Sequence, residues 1–175
     1  MGIVNVTPDS FSDQGQWATA EAAVAHGHRL LEEGADLLDI GGESTRPGAS
    51  PVSAAEEIRR VAPVLAALRK DMTIPLSVDT RKADVARAAL AAGADLVNDI
   101  SAGADPGMLP LCRENRAGIV LMHMQGTPPS MQRSPCYRDV LAEVEDFLRA
   151  RAAAAREQGI PPERIWLDPG IGFGK

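Results

Sequence analysis

Short apolar runs alternate with longer, Ala-rich amphipathic stretches along the whole chain. The runs at residues 3–6, 37–40, 76–79, 96–99, 119–123 and 165–168 are mostly Val, Ile and Leu. Nearly continuous apolar runs of this length are typical of strands buried on both faces of a parallel sheet. The pattern therefore predicts six strands, separated by helices.

Helix start and stop signals lie between these runs. Thr19 precedes an Ala- and Leu-rich stretch that ends before Gly34, and Ser53-Ala54-Ala55-Glu56 has the form of a capping box. The predicted helices cover residues 20–31, 53–69, 82–91, 106–115 and 137–158. Pro63 lies inside the second helix and is expected to kink it.

The alternation of strands and helices permits either a doubly wound sheet or a (β/α) barrel. No GxGxxG follows the first strand and no GxxxxGK[ST] is present, which removes the commonest nucleotide-binding doubly wound arrangements. We therefore predict an α/β fold of the (β/α)8 TIM-barrel type, as one domain over residues 1–175. A closed barrel needs eight strands and about 250 residues, so the chain is expected to hold only about the first six βα units.

Composition excludes several classes of protein. The 45% hydrophobic content supports a packed core, and a net charge of −6 argues against a nucleic-acid surface. No apolar run approaches ~18 residues and no signal-peptide pattern is present, so a cytoplasmic protein without a membrane span is expected. Cys112 and Cys136 lack metal-ligand spacing and are interpreted as reduced thiols, with a disulfide as the alternative.

Polar side chains stand at the end of every predicted strand. They are Asn5, Asp39, Glu43, Asp79, Asn98, Asp99, His123 and Asp168. Any single one of them is explained by capping a turn, and His123 is interpreted as a structural strand-end residue. However, the carboxyl ends of barrel strands form the catalytic face, and six polar ends in succession favour a site there.

Several segments resemble the dihydropteroate synthase family, in the family's order along the chain. The first two are Asn5-Val6-Thr7-Pro8-Asp9-Ser10-Phe11-Ser12-Asp13 and Asp39-Ile40-Gly41-Gly42-Glu43-Ser44-Thr45-Arg46-Pro47-Gly48, and both are highly specific. The others are residues 77–80, 97–101, 122–128 and 167–175. The resemblance implies a pterin-binding (β/α)8 barrel that joins a pterin diphosphate to p-aminobenzoate, giving dihydropteroate for folate biosynthesis.

The resemblance assigns five residues to the pterin ring. Asp79, Asn98 and Asp168 would recognise the ring, because a carboxylate accepts two adjacent N–H donors and an amide complements a mixed donor–acceptor edge. Mutual hydrogen bonding at the barrel mouth is the alternative for these three. Met122 and Phe173 would wall the pterin slot, with ordinary core packing as their alternative.

The resemblance also assigns residues to the metal ion and to the second substrate. Asn5 would help to hold Mg²⁺ against the diphosphate, and Thr45 would lie at the pterin-diphosphate site as a catalytic residue together with Arg46. A solvated loop charge is the alternative for Arg46. The p-aminobenzoate loops would contain Phe11, Asp13, Arg46 and Pro47.

The family pattern continues beyond the sixth strand with a Ser-Arg-Lys segment and a late Arg-x-His motif, which supply basic groups. Neither is present in these 175 residues, so the chain is expected to be a fragment that is essentially inactive alone. The full-length form is expected to be a homodimer. Two alternatives stay open: a pterin-binding methyltransferase domain of the same barrel type, and a non-catalytic pterin-binding remnant.

Overall fold

The computed structural model describes residues 1–7, 15–44, 51–128 and 130–175. The strands are β1 (Gly2–Asn5), β2 (Leu38–Gly41), β3 (Leu76–Asp79), β4 (Leu96–Asp99), β5 (Gly118–Met122) and β6 (Ile165–Asp168). The helices are α1 (Gly15–Glu32), α2 (Ala54–Asp71), α3 (Ala83–Ala91), α4 (Met108–Glu114) and α5 (Val140–Glu157), and a 3₁₀ turn (Pro162–Arg164) precedes β6. Each predicted strand is present within one residue of its predicted bounds.

The six strands form one parallel sheet in the order β1-β2-β3-β4-β5-β6, as the sequence predicts. Each of the strands β1 to β5 is followed by a helix that returns the chain to the start of the next strand, which is the βα repeat of a TIM-barrel type fold. All the strands therefore end at the same edge of the sheet, and their C-terminal residues lie along it.

The two faces of the sheet differ in character. The face that packs against the helices is buried along the first strands, with 0% exposure at Val4, Ile40 and Val78, whereas Leu167 at the end of β6 is 46% exposed. On the opposite face Ile3 and Trp166 are 58% and 50% exposed. The Trp166 ring lies against Gly118, where an added Cβ would stand 2.5 Å from the ring. The strand-end residues Asn5, Asp79, Asn98 and Asp168 lie on this second face.

Side-chain caps mark the starts of helices α2 and α5. The Ser53 hydroxyl accepts a hydrogen bond from the Glu56 backbone N–H at 3.3 Å, so the predicted cap of α2 is present. Helix α5 begins at Val140 rather than at residue 137, because the Asp139 carboxylate accepts hydrogen bonds from the backbone N–H groups of Leu141 and Ala142. Pro63 lies within α2, which continues to Asp71.

Two further sequence-based expectations concern the cysteines and the membrane. Cys112 is buried and Cys136 is exposed, and both are free thiols. Among the residues described, no helix combines the length and the apolar character needed to cross a bilayer.

Candidate functional site

The carboxyl ends of the first four strands place three polar residues in one row. Backbone register aligns Asn5 with Gly41, Gly41 with Asp79, and Asp79 with Asn98. A Cβ added to Gly41 would lie 3.6 Å from Asp79 Oδ2 and 3.8 Å from Asn5 Oδ1. The absent side chain thus leaves a gap between a carboxyl group and an amide. The structure therefore brings together three of the residues that the sequence assigns to a site.

Asp39 lies on the same face of the sheet as this row, two residues before Gly41 on β2. It is 5% exposed, and its Oδ2 accepts a hydrogen bond from Asn98 Nδ2 at 2.9 Å. Asp39 Oδ1 and the Ser77 hydroxyl, which lie in register on neighbouring strands, are both buried without a hydrogen bond of good geometry in the described part of the chain. Burial raises the pKa of Asp39, and Ser77 and Asn98 offset only part of the increase.

Asp39 is among the strand-end residues predicted from the sequence, but no role in the site is predicted for it. The signal was present, because Asp39 is a charged residue inside the apolar run Leu38-Asp39-Ile40. A carboxylate is rarely buried in a strand unless it is paired or has a function.

Asp79 has an unusual protonation state. Burial raises its pKa to about 8, and the negative charges of Asp39, Glu57, Asp99 and Glu43 contribute in that order. No hydrogen bond from residues 1–7, 15–44, 51–128 or 130–175 reaches its carboxyl group. Asp79 is therefore largely protonated at neutral pH, and a ligand that donates N–H groups would favour its carboxylate form.

Asp99, the next acidic residue at this edge, has a structural role. Its Oδ1 accepts hydrogen bonds from the Ser101 backbone N–H at 2.7 Å and the Ser101 hydroxyl at 2.6 Å, and its Oδ2 accepts one from the Gly103 N–H at 2.7 Å. Burial raises its pKa despite these bonds. Asp99 thus holds the turn after β4 and lies on the helix-covered face of the sheet.

The ends of β5 and β6 form the other side of the candidate site. Met122, which is buried, aligns with Asp168, and Asp168 Oδ1 accepts a hydrogen bond from the Gly170 N–H at 2.7 Å. Gly170 has φ +63°, and an added Cβ would stand 2.1 Å from the His123 carbonyl oxygen. Only glycine allows this close approach. Phe173 is partly buried in the loop that follows.

Lys175 holds this loop against the end of β5. Its Nζ donates hydrogen bonds to the carbonyl oxygens of Gly170 at 2.8 Å, His123 at 3.1 Å and Phe173 at 3.1 Å. Burial lowers the pKa of Lys175, and the charge of Asp168 opposes that change. Because its ammonium group already donates three hydrogen bonds, Lys175 acts here as a brace between two loops.

His123 packs as a structural residue. It is 7% exposed, and its ring meets Phe147 in a T-shaped contact with centroids 4.9 Å apart. Its Nδ1 has no hydrogen-bond partner in the part of the chain described, and burial lowers its pKa. A neutral imidazole inside an aromatic cluster agrees with the structural role expected from the sequence.

The family model for pterin binding enzymes matches residues 1–175. The chain belongs to this family. It is 48% identical over 176 residues to dihydropteroate synthase from Synechocystis and 53% identical over 178 residues to that of Neisseria meningitidis serogroup C. These alignments cover 100% of the chain and 61% and 62% of the relatives. The chain thus spans about three-fifths of the length of these pterin binding enzymes.

Solved structures of the pterin binding family share the fold. Xanthomonas albilineans dihydropteroate synthase with 4-aminobenzoic acid matches with 57% identity and a TM-score of 0.91, over 99% of this chain and 62% of that one. A Yersinia pestis dihydropteroate synthase in a sulfonamide drug complex matches with 47% identity and a TM-score of 0.92, over 99% and 63% of the two chains. The six-stranded sheet is therefore part of a TIM-barrel type, pterin-binding fold.

Other residues assigned from the sequence lie outside the described part of this pterin-binding domain. These are Phe11, Asp13, Thr45, Arg46 and Pro47. Among the described residues, no group of three or more His, Cys, Asp and Glu side chains is arranged to hold a metal ion. The exposed Asn5 offers an amide oxygen, which suits Mg²⁺ when the remaining ligands are phosphate oxygens and water.

Proposed function

We propose that the protein carrying this chain is a dihydropteroate synthase. It would condense 7,8-dihydropterin-6-ylmethyl diphosphate with p-aminobenzoate, giving 7,8-dihydropteroate and diphosphate. The observation that carries the proposal is the row of Asn5, Asp79 and Asn98 at the carboxyl edge, with Asp39 behind it. This row occurs in a chain whose relatives, at about half identity, bear that name.

The pterin ring would bind at the carboxyl ends of β3 to β6. Asp79 and Asp168 would accept hydrogen bonds from ring N–H groups, while Met122 and Phe173 would flank the ring. Asn98 already donates one amide hydrogen to Asp39, which fixes the orientation of its amide group. The Asn98 amide oxygen and second amide hydrogen can then face the ring in a defined order. Asp39 would thus act by positioning Asn98.

The diphosphate would lie near the end of β1. Asn5 is suited to share Mg²⁺ with diphosphate oxygens, and such an ion would neutralise the charge that develops on the leaving group. From the family resemblance, Thr45 and Arg46 would contact the pterin diphosphate, while Phe11, Asp13, Arg46 and Pro47 would surround p-aminobenzoate. None of these roles requires a protein nucleophile, because the aniline nitrogen itself attacks the methylene carbon.

The chain's own contribution to the reaction would be binding and orientation. Holding the ring between Asp79 and Asp168 fixes the exocyclic methylene relative to the attacking nitrogen, which lowers the entropic part of the barrier. A site closed to water would strengthen the electrostatic stabilisation of the leaving diphosphate. We further propose that the complete protein is a cytoplasmic homodimer.

The test is formation of dihydropteroate by the complete protein from the two substrates and Mg²⁺, measured by chromatography. Asp79→Asn is expected to reduce turnover by about a hundredfold, because ring N–H donors would be left unpaired. Asp36→Asn, at an exposed position before β2, is expected to retain turnover. Pterin binding without an aniline-dependent product would instead support a methyltransferase or a non-catalytic remnant.

A further inference from the structure

Lys82, which lies just after the carboxyl end of β3, makes three hydrogen bonds. Its Nζ donates to Glu57 Oε2 at 2.6 Å, to Glu43 Oε2 at 2.7 Å and to the Val52 carbonyl oxygen at 2.7 Å. Lys82 is the N-cap residue of α3 and follows Asp79 by three positions. All three ammonium hydrogens are therefore directed at acceptors, and two of these acceptors are carboxylates.

Glu57 and Glu43 differ in the number of groups that bind and neutralise their carboxylates. Glu57, on α2, is 1% exposed, and its Oε1 has no hydrogen-bond partner among the described residues. Glu43 is partly buried, and its Oε1 accepts the Val52 N–H at 3.1 Å and lies 3.6 Å from Arg81 Nη2. Within the described ranges, Lys82 is the one cation in contact with Glu57. Breaking such a buried pair on one side leaves a strongly unfavourable charge.

Carboxyl groups on several elements act electrostatically on Asp79. Asp39 on β2, Asp99 on β4, Glu43 after β2 and Glu57 on α2 all act on it, after burial itself, to raise its pKa. Neighbouring β1 contributes the neutral Asn5 to the same row. Among the described residues, Lys82 and Arg81 at the start of α3 pair with Glu43, and Arg60 on α2 donates a hydrogen bond to the neighbouring Gly42 carbonyl oxygen. Lys82 is thus the counter-charge to two of the four carboxyl groups that oppose ionisation of Asp79.

We propose that Lys82 is a positioning residue for the ring-binding end of the site: by holding and neutralising Glu43 and Glu57, it allows Asp79 to bind a ring as a carboxylate. The inference rests on the proposed function, because only a ligand with N–H donors needs that form of Asp79. The Lys82 ammonium group is hydrogen-bonded to Glu43, Glu57 and the Val52 carbonyl oxygen, and in the described part of the chain it makes no hydrogen bond to Asp79. Its effect is electrostatic and acts through the two glutamates.

Glu43, Glu57 and Lys82 form a charge set, and its net charge can be changed in single steps by substitution. With both glutamates ionised, Glu43, Glu57 and Lys82 together carry one negative charge. Lys82→Met would leave two negative charges, Glu57→Gln would leave none, and the double variant would restore one. Lys82→Arg keeps the charge. If the charge set controls Asp79, its titration midpoint must follow this order.

The experiment is a carboxyl ¹³C NMR titration of the complete, ligand-free protein labelled at aspartate, in EDTA, with the Asp79 signal assigned from Asp79→Asn. Lys82→Met is expected to move the Asp79 midpoint upward by about half to one pH unit, and Glu57→Gln to move it downward by a similar amount. The double variant is expected to return close to the wild-type midpoint, and Lys82→Arg to stay near it.

Lys70→Met is the matched control, because Lys70 is an exposed lysine in the last turn of α2. It removes the same charge from the whole protein and is expected to leave the midpoint unchanged. If Lys82→Met does not fold, Glu57→Gln still tests the proposal through a shift in the opposite direction. Unmoved midpoints in folded Lys82→Met or Glu57→Gln protein would overturn the proposal, as would an equal shift in the control.

A second measurement separates this inference from the proposed function. Binding of 6-hydroxymethylpterin is followed by calorimetry against pH in the same variants. The pH range of tight binding is expected to move upward in Lys82→Met and downward in Glu57→Gln. Asp79 midpoints that shift as expected, without pterin binding at any pH, would refute the proposed function alone. Pterin binding with an unshifted pH range would overturn the role given to Lys82.

Discussion

Replacement of Asp79 by Asn is expected to stabilise the fold increasingly as the pH rises. In the folded protein, burial first and neighbouring carboxylates second raise the pKa of Asp79 from 3.8 to about 8. The folded state therefore keeps a proton that the unfolded chain releases over this range. A group of this kind lowers stability as the pH rises above its unfolded pKa, and the loss levels off above the folded pKa.

The size of this change in stability follows from the difference between the pKa values of Asp79 in the folded and unfolded states. One pKa unit corresponds to about 1.4 kcal/mol of differential interaction between the protonation states. Between pH 6 and pH 8 the unfolded chain has released the Asp79 proton, while the folded protein still largely retains it. Over this range Asp79 is therefore expected to reduce the unfolding free energy by about 2 kcal/mol. An Asn side chain has nearly the same shape as the protonated acid and cannot ionise, so the variant lacks this loss.

Urea denaturation of the complete protein at pH 6, 7 and 8 measures the effect. The difference in unfolding free energy between Asp79→Asn and wild type is expected to grow by about 2 kcal/mol across this range. Asp36→Asn, at an exposed position, should run parallel to wild type. A difference that stays constant with pH, or falls, would refute the reasoning, because it would show that Asp79 ionises normally in the folded state.

The same variant connects stability with function. An amide cannot accept two adjacent N–H bonds as a carboxylate does, so Asp79→Asn is expected to gain stability at pH 8 while it loses affinity for a pterin. Active sites commonly retain such unfavourable groups at the expense of stability. A variant that gained stability and kept its affinity would show that Asp79 does not contact the ring.

Three further predictions concern the site and the sheet. Asp168→Asn is expected to weaken pterin binding by about 1–3 kcal/mol in calorimetry with little change in stability, since an amide oxygen can still accept the Gly170 N–H; unchanged affinity would argue against contact with the ring. Asn5→Ala is expected to weaken Mg²⁺-dependent binding of the pterin diphosphate but not of 6-hydroxymethylpterin, and equal losses for both ligands would contradict its role at the metal ion. Gly118→Ala is expected to lower the unfolding free energy by about 1–3 kcal/mol in urea denaturation, because the new Cβ would meet the Trp166 ring; a wild-type value would show that the ring moves aside freely.

Sequence patterns predicted the scaffold of the site because the relevant information is local. Short apolar runs marked each strand, and the helices between them imposed a parallel, consecutive order. Parallel strands end at a common edge, so Asn5, Asp79 and Asn98 were expected to meet there, and the register aligns them. The start of α5 was placed too early because the cap depends on the geometry of one side chain, that of Asp139.

The chemical state of these residues was decided by tertiary structure alone. Asp39 lies 59 residues from Asn98 in sequence, and their hydrogen bond exists only because β2 and β4 face the same space. Lys82 reaches Glu57 across 25 positions, and Asp79 stays protonated at neutral pH because packing removes water and collects like charges around it. Sequence alone determines which side chains stand at the strand ends. Burial and long-range contacts determine their charge and orientation, since both depend on what the fold brings alongside.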